Sequence, residues 1–144
     1  ERWMKSNPED PRPYRWYGVF LNPENRVDYL NNALRLGGGN EQLSLLTLID
    51  INLNALWYSF HHISEDLYLG DIKEDTALLA KSRQLNNKVE CEQTRKNNNE
   101  ALNYYQDLLD DWVMFKKERS KGFVEWCENK GRTYYWVKAY YYER

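Results

Sequence analysis

The sequence predicts a mainly α-helical fold, a helical bundle around a long central helix at about residues 41–69, with irregular or short β segments at the N- and C-termini. Three observations carry that expectation. All four prolines, Pro8, Pro11, Pro13 and Pro23, lie in the first 23 residues; a proline costs a helix interior about 3 kcal/mol, so the proline-free remainder suits long helices. Between residues 41 and 69 the apolar positions fall on two adjoining helical stripes, a wider arc than a peripheral helix needs. At 144 residues the chain fits one domain, which at this length hides roughly 70% of its unfolded surface. Within it we expect an extended leader over 1–22, the helical bundle over 23–131 and an aromatic closing segment over 132–144.

In chain order, "YRWYGVF" at 14–20 reads as the one strand-like run of the leader, with a short strand at 15–20. Asn22 and Pro23 then read as N-cap and first position of a helix that carries Val27, Leu30 and Leu34 on one face and stops at the glycines of 37–39. The central helix follows. Its stripes are Leu43, Leu46, Leu53, Trp57, Phe60, Leu67 and, beside them, Leu45, Leu48, Ile49, Leu56, Ile63, which places Trp57 and Phe60 in the core. Gly70 ends it. A single helix over 74–119 would run roughly 70 Å, too long for a domain of this size, so a kink or break is expected at the asparagines of 97–99, a residue type that competes with helix by bonding to nearby backbone. Apolar spacing resumes at Ala101, Tyr105, Leu108, Leu109, Trp112 and Phe115, and "GFVEWCENKG" forms a last short helix.

The formal net charge of −2 exerts no global pull toward nucleic acid or anionic lipid. Its distribution is uneven: residues 40–75 carry seven carboxylates against Lys73 alone, while residues 116–144 carry eight Lys or Arg against four Glu. Cys91 and Cys127 stand far apart with no metal-binding spacing, so both are expected as unpaired thiols. No uninterrupted apolar run reaches the ~18 residues of a membrane span. A cytoplasmic location is the default expectation, and because the first residue is Glu1 rather than Met, processing or a removed signal peptide stays open.

The polar side of the central helix reads Thr47, Asp50, Asn54, Tyr58, His61, Glu65, a line that is either a solvated face or a row of interior hydrogen-bonding groups. Flanking apolar residues make Asp50 and Asn54 its members expected to be partly buried. In "HHISED", His61 stands four before Glu65 and His62 four before Asp66, so each imidazole can meet a carboxylate one turn on. These four residues form the expected acidic, titratable surface. With two histidines in all and no Glu-x-x-His pair, no metal and no cofactor are expected. No nucleophile motif appears, so no catalytic residue is assigned. The glycines of 37–39 lack the Lys and Ser or Thr of a phosphate loop and read as an interhelical turn.

The chain closes on "YYWVKAYYYER", six aromatics in eleven residues. Its alternation fits a strand that pairs with residues 14–20, and its composition also fits a helix. Arg132, Tyr134, Trp136, Lys138 and Tyr140 are the candidate partner-binding residues, since aromatics interleaved with cations stack on bases or anchor a protein partner; sealing the end of the bundle is the structural alternative. The leading expectation is a non-catalytic protein–protein interaction module of adaptor, inhibitor or accessory type, with self-association allowed. The second is a nucleic-acid-binding accessory protein that uses the aromatic, basic C-terminal end.

Overall fold

The N-terminal residues are helical where the sequence predicts an extended leader. The computed structural model describes residues 2–21, 24–119 and 122–135, and among these it holds seven α-helices and no strand. Helix α1 spans Arg2–Ser6, α2 spans Pro11–Trp16, and a π-helical turn, Tyr17–Leu21, continues it. The prolines start α2 instead of opposing it. Asp10 caps the helix, its carboxylate accepting from the Arg12 N–H at 3.0 Å, and Pro11 and Pro13 occupy the first turn, where a missing N–H leaves nothing unbonded. The strand expected at 15–20 is therefore replaced by helix. Gly18 packs directly on Leu30, whose Cγ would lie 2.6 Å from an added Cβ, and its carbonyl accepts from Arg26 Nε at 2.6 Å.

Helix α3, Arg26–Gly37, buries Leu30 and Ala33 and leaves Val27 exposed; the expected cap pair, Asn22 and Pro23, lies outside the described residues. Gly38, at a φ of 56°, ends α3, and a 3-10 turn at Gly38–Asn40 leads on. The side of Gly39 faces open space. Glu41 is buried and holds the N-terminal layer in place, accepting from Arg15 Nη1 at 2.8 Å and from Ser44 Oγ at 3.0 Å.

Helix α4, Gln42–Phe60, is the expected central helix, shortened from 41–69. It stops because residues after 60 have other partners. Ile63 is fully buried, Leu69 N–H returns to the Ser59 carbonyl at 3.0 Å, and Asp66 adopts a left-handed φ of 62°. In that turn Asp66 Oδ1 accepts from the Phe123 N–H at 2.6 Å, capping a helix 57 positions later. The stripe of Leu45, Leu48, Ile49, Leu56 and Ile63 is wholly buried. The other stripe divides: Phe60 is buried, but Leu43, Leu67 and Trp57 are exposed, Trp57 to 57%. The expectation that Trp57 lies in the core is thus corrected. Trp57 follows Leu56 by about 100° around the helix, which carries its ring past the arc that neighbouring helices cover.

Helix α5, Ile72–Asn86, and α6, Glu92–Glu118, are separated by a turn at 87–91, and the asparagines of 97–99 lie inside an unbroken α6. The expected break is displaced because these asparagines have better partners than their own backbone. Asn86, fully buried, donates from Nδ2 to the Arg95 carbonyl at 2.8 Å and to Asn99 Oδ1 at 2.9 Å, and accepts from Asn98 Nδ2 at 2.9 Å. Arg95 Nη1 donates to the Val89 carbonyl and closes the turn. Helix α7, Phe123–Asn129, follows as expected.

The core is in two parts that share α4 and α5. One gathers Leu30, Leu45, Leu48, Ile49, Leu85 and Val89 from α3, α4, the end of α5 and the turn after it. The other gathers Leu56, Phe60 and Leu79 with the α6 and α7 residues Leu108, Trp112, Phe115 and Phe123. Leu53 packs against both. Beside it Asn52 Nδ2 donates to Ser82 Oγ at 3.0 Å, and that hydroxyl donates to the Leu78 carbonyl, so a satisfied polar clasp sits at the α4–α5 crossing.

Candidate functional site

The outer side of α4 ends in a ridge of rings. Trp57 and Tyr58 are each more than half exposed. His61, one turn on, stacks on Trp57 with centroids 4.7 Å apart and planes 18° from parallel, and lies 5.3 Å from Tyr58 and 4.1 Å from His62. The Tyr58 carbonyl accepts from His61 Nδ1 at 2.7 Å, which fixes the imidazole on the ridge.

Two depressions flank the ridge. On one side Trp57, Phe60 and His61 meet Tyr104 and Tyr105 of α6 around a groove of about 210 Å³. Phe60 stacks on Tyr105 at 5.8 Å, and Tyr104 meets Tyr105 edge-on at 5.3 Å. Burial holds the phenols of Tyr104 and Tyr105 above their usual pKa, and the buried Tyr104 hydroxyl has no hydrogen-bond partner among the described residues. On the other side Tyr58 and Ser59 face Gly70, Asp71, Glu74 and Asp75 across a wider cleft of about 600 Å³. Gly70 is required there by close approach to Asp75 and Ser59. The buried Asp75 carboxylate accepts from Tyr68 Oη at 2.6 Å.

The expected acidic surface is largely committed to structure. His62 Nδ1 meets Glu65 Oε1 at 3.0 Å, three residues on, instead of Asp66. His61 bonds the Tyr58 carbonyl instead of Glu65, and Asp66 caps α7. Asp71 caps α5 by accepting from the Glu74 N–H at 2.9 Å. The polar row on α4 is its solvated side: Asp50 and Asn54, expected to be partly buried, are exposed. The buried polar residue is Asn52, which the row missed.

Of the closing residues, Tyr134 is buried. Its hydroxyl donates to Asp111, itself buried, and its ring meets Tyr104 edge-on at 5.7 Å. Arg132 lies 3.6 Å from the same carboxylate. Trp136, Lys138 and Tyr140, and the strand-or-helix question for residues 136–144, lie outside the described residues. Both cysteines are free thiols, Cys91 exposed and Cys127 buried; burial, with the nearby Asp111 charge, pushes the Cys127 thiol up to about 12. Among the described residues no group of three or more His, Cys, Asp or Glu is gathered as a metal ion requires, and no helix is long and apolar enough to cross a membrane.

No protein-family model, curated protein or solved structure matches the chain.

Proposed function

We propose that the protein is a non-catalytic interaction module that docks a protein partner on the Trp57–Tyr58–His61 ridge, with the groove beside it as the anchor pocket. The carrying observation is Trp57, a large ring left 57% exposed at the mouth of an aromatic groove on a helix whose other face is fully packed. Tryptophan and tyrosine are the side chains that most often dominate binding energy at interface centres. At about 210 Å³ the groove is below the roughly 300–1,000 Å³ of small-molecule sites and matches one or two side chains. The cleft and the groove lie on either side of one ridge, so an extended segment crossing it would reach both.

The test is copurification from the native source with the wild-type protein and with Trp57→Ala, alongside Lys81→Ala on the exposed side of α5 as control. A partner held by the wild type and the control but reduced at least tenfold by Trp57→Ala is the expected result. Equal recovery with all three proteins would overturn the assignment of the ridge.

A further inference from the structure

The ridge and groove are built from two stretches that contain no Lys or Arg: residues 43–72 carry Asp50, Glu65, Asp66 and Asp71, and residues 97–115 carry Glu100, Asp107, Asp110 and Asp111. Of these, Asp66 caps α7, Asp111 is buried against Tyr134 and Arg132, and Glu100 lines a separate hollow with Arg95 and Lys96; the negative charge beside the ridge is that of the flanking cleft, whose lining includes Asp71, Glu74 and Asp75 and, among the described residues, no Lys or Arg. Three other indole rings are met by the protein's own cations, while Trp16 pairs with Phe20. Arg12 lies over Trp3 at 5.7 Å, Lys116 over Trp112 at 5.4 Å and Lys130 over Trp126 at 5.4 Å. The Trp57 ring is instead met by the His61 imidazole, whose Nδ1 donates to the Tyr58 carbonyl.

From this we infer that the partner docked on the ridge is a basic segment, and that a Lys or Arg side chain of it seats in the groove against Trp57 and Tyr105. The aliphatic stem of such a residue covers apolar ring surface while its charged head stays in water, and a second basic residue of a segment crossing the ridge meets Asp71 and Glu74 in the cleft. A cation over an indole face gains most from Trp among the aromatics. Like charge around the site repels acidic segments and phosphate, so the same arrangement selects against them. This inference rests on the docking reading above and adds the chemistry of the partner.

The experiment titrates the full-length protein, by Trp fluorescence and by amide chemical shifts, with four acetylated, amidated peptides of sequence GXGXGXG in which X is Arg, Lys, citrulline or Leu. Citrulline keeps the shape of Arg and removes its charge. The expected result is that the Arg and Lys peptides shift the resonances of Trp57 and Tyr105, that citrulline and Leu bind about tenfold more weakly or worse, and that Trp57→Ala abolishes the difference. Because Trp57 is exposed, the variant should keep the wild-type circular dichroism spectrum and melting temperature. Trp57→Phe, which keeps a ring, should retain part of the preference. If the Leu peptide binds at the groove as tightly as the Arg peptide, the basic partner is overturned while the docking reading stands. If the Arg peptide binds unchanged to Trp57→Ala, or no peptide shifts these resonances, the seating of a cation in the groove is overturned. In the latter case retention of a native partner by the wild type and not by Trp57→Ala separates this failure from failure of the docking reading.

Discussion

Burial raises four phenols and a thiol above their ordinary pKa. For Tyr68 and Tyr134, as for Tyr104 and Tyr105, loss of water is the largest cause; Tyr68 and Tyr134 then donate to Asp75 and Asp111, bonds that exist only while the phenol keeps its proton. Cys127 is raised from 9.0 to about 12 in the same way. In each case the folded-state pKa lies above the unfolded one, so this contribution to stability is fully present below about pH 9 and is lost as pH rises toward the folded values, by up to about 1.4 kcal/mol per pH unit for each group. Thermal melts from pH 8 to 11 should show the melting temperature falling from about pH 9 onward. A flat profile to pH 11 would mean that these side chains are solvated. Tyr134 also shows how far residue-level reading reached: its aromatic character was plain in "YYWVKAYYYER", but its partner, Asp111, stands 23 positions away and no local pattern links the two.

At the scale of elements, the α5–α6 hairpin depends on side chains more than on its turn sequence. Asn86 makes three hydrogen bonds across it, to Arg95, Asn98 and Asn99, from a fully buried position. With a typical net value near 1 kcal/mol for each bond, and a penalty for any partner left dry, Asn86→Ala should cost about 2–3 kcal/mol in urea unfolding. A loss below about 0.5 kcal/mol would show that water replaces the amide without penalty. Asparagine's tendency to bond outside its own helix was legible in the sequence, and it suggested a break at 97–99. The same tendency is satisfied across the hairpin, which leaves α6 continuous. The end of α4 was hidden for a related reason, since Asp66 serves α7 and its left-handed turn is set by a helix remote in sequence. What could be read locally was read correctly: the buried stripe of α4, the glycine stop after α3 and the short α7. The capping signal of α2, Asp10 before Pro11, was also present, but four prolines in 23 residues outweighed it as a mark of extended chain.

For the whole molecule the two shared helices set the order of opening. The core around α3 is small and joins the rest through α4, α5 and the Asn52–Ser82 clasp between them, whereas the core around α6 draws on four helices and, among the described residues, on all the buried aromatic side chains. Native-state hydrogen exchange should find α3 amides opening at lower free energy than those of α6, with α4 divided near Leu53. A single opening energy across both regions would show one cooperative unit. The mainly helical class was legible from the absence of proline after residue 23 and from the width of the apolar arc on α4. The division into two cores was not, because both stripes of α4 look alike until the neighbours that cover them are known. The turn at Gly38–Asn40 acquires a practical value from the same geometry. The side of Gly39 faces open space in the turn before α4, and Trp57 stands near the other end, about 22 Å along the helix from Gln42. With the exposed Cys91 changed to Ser, a fluorophore attached through Gly39→Cys would therefore report from the far end of α4 while leaving the ridge unobstructed, a labelling position for binding measurements on the bound and free protein.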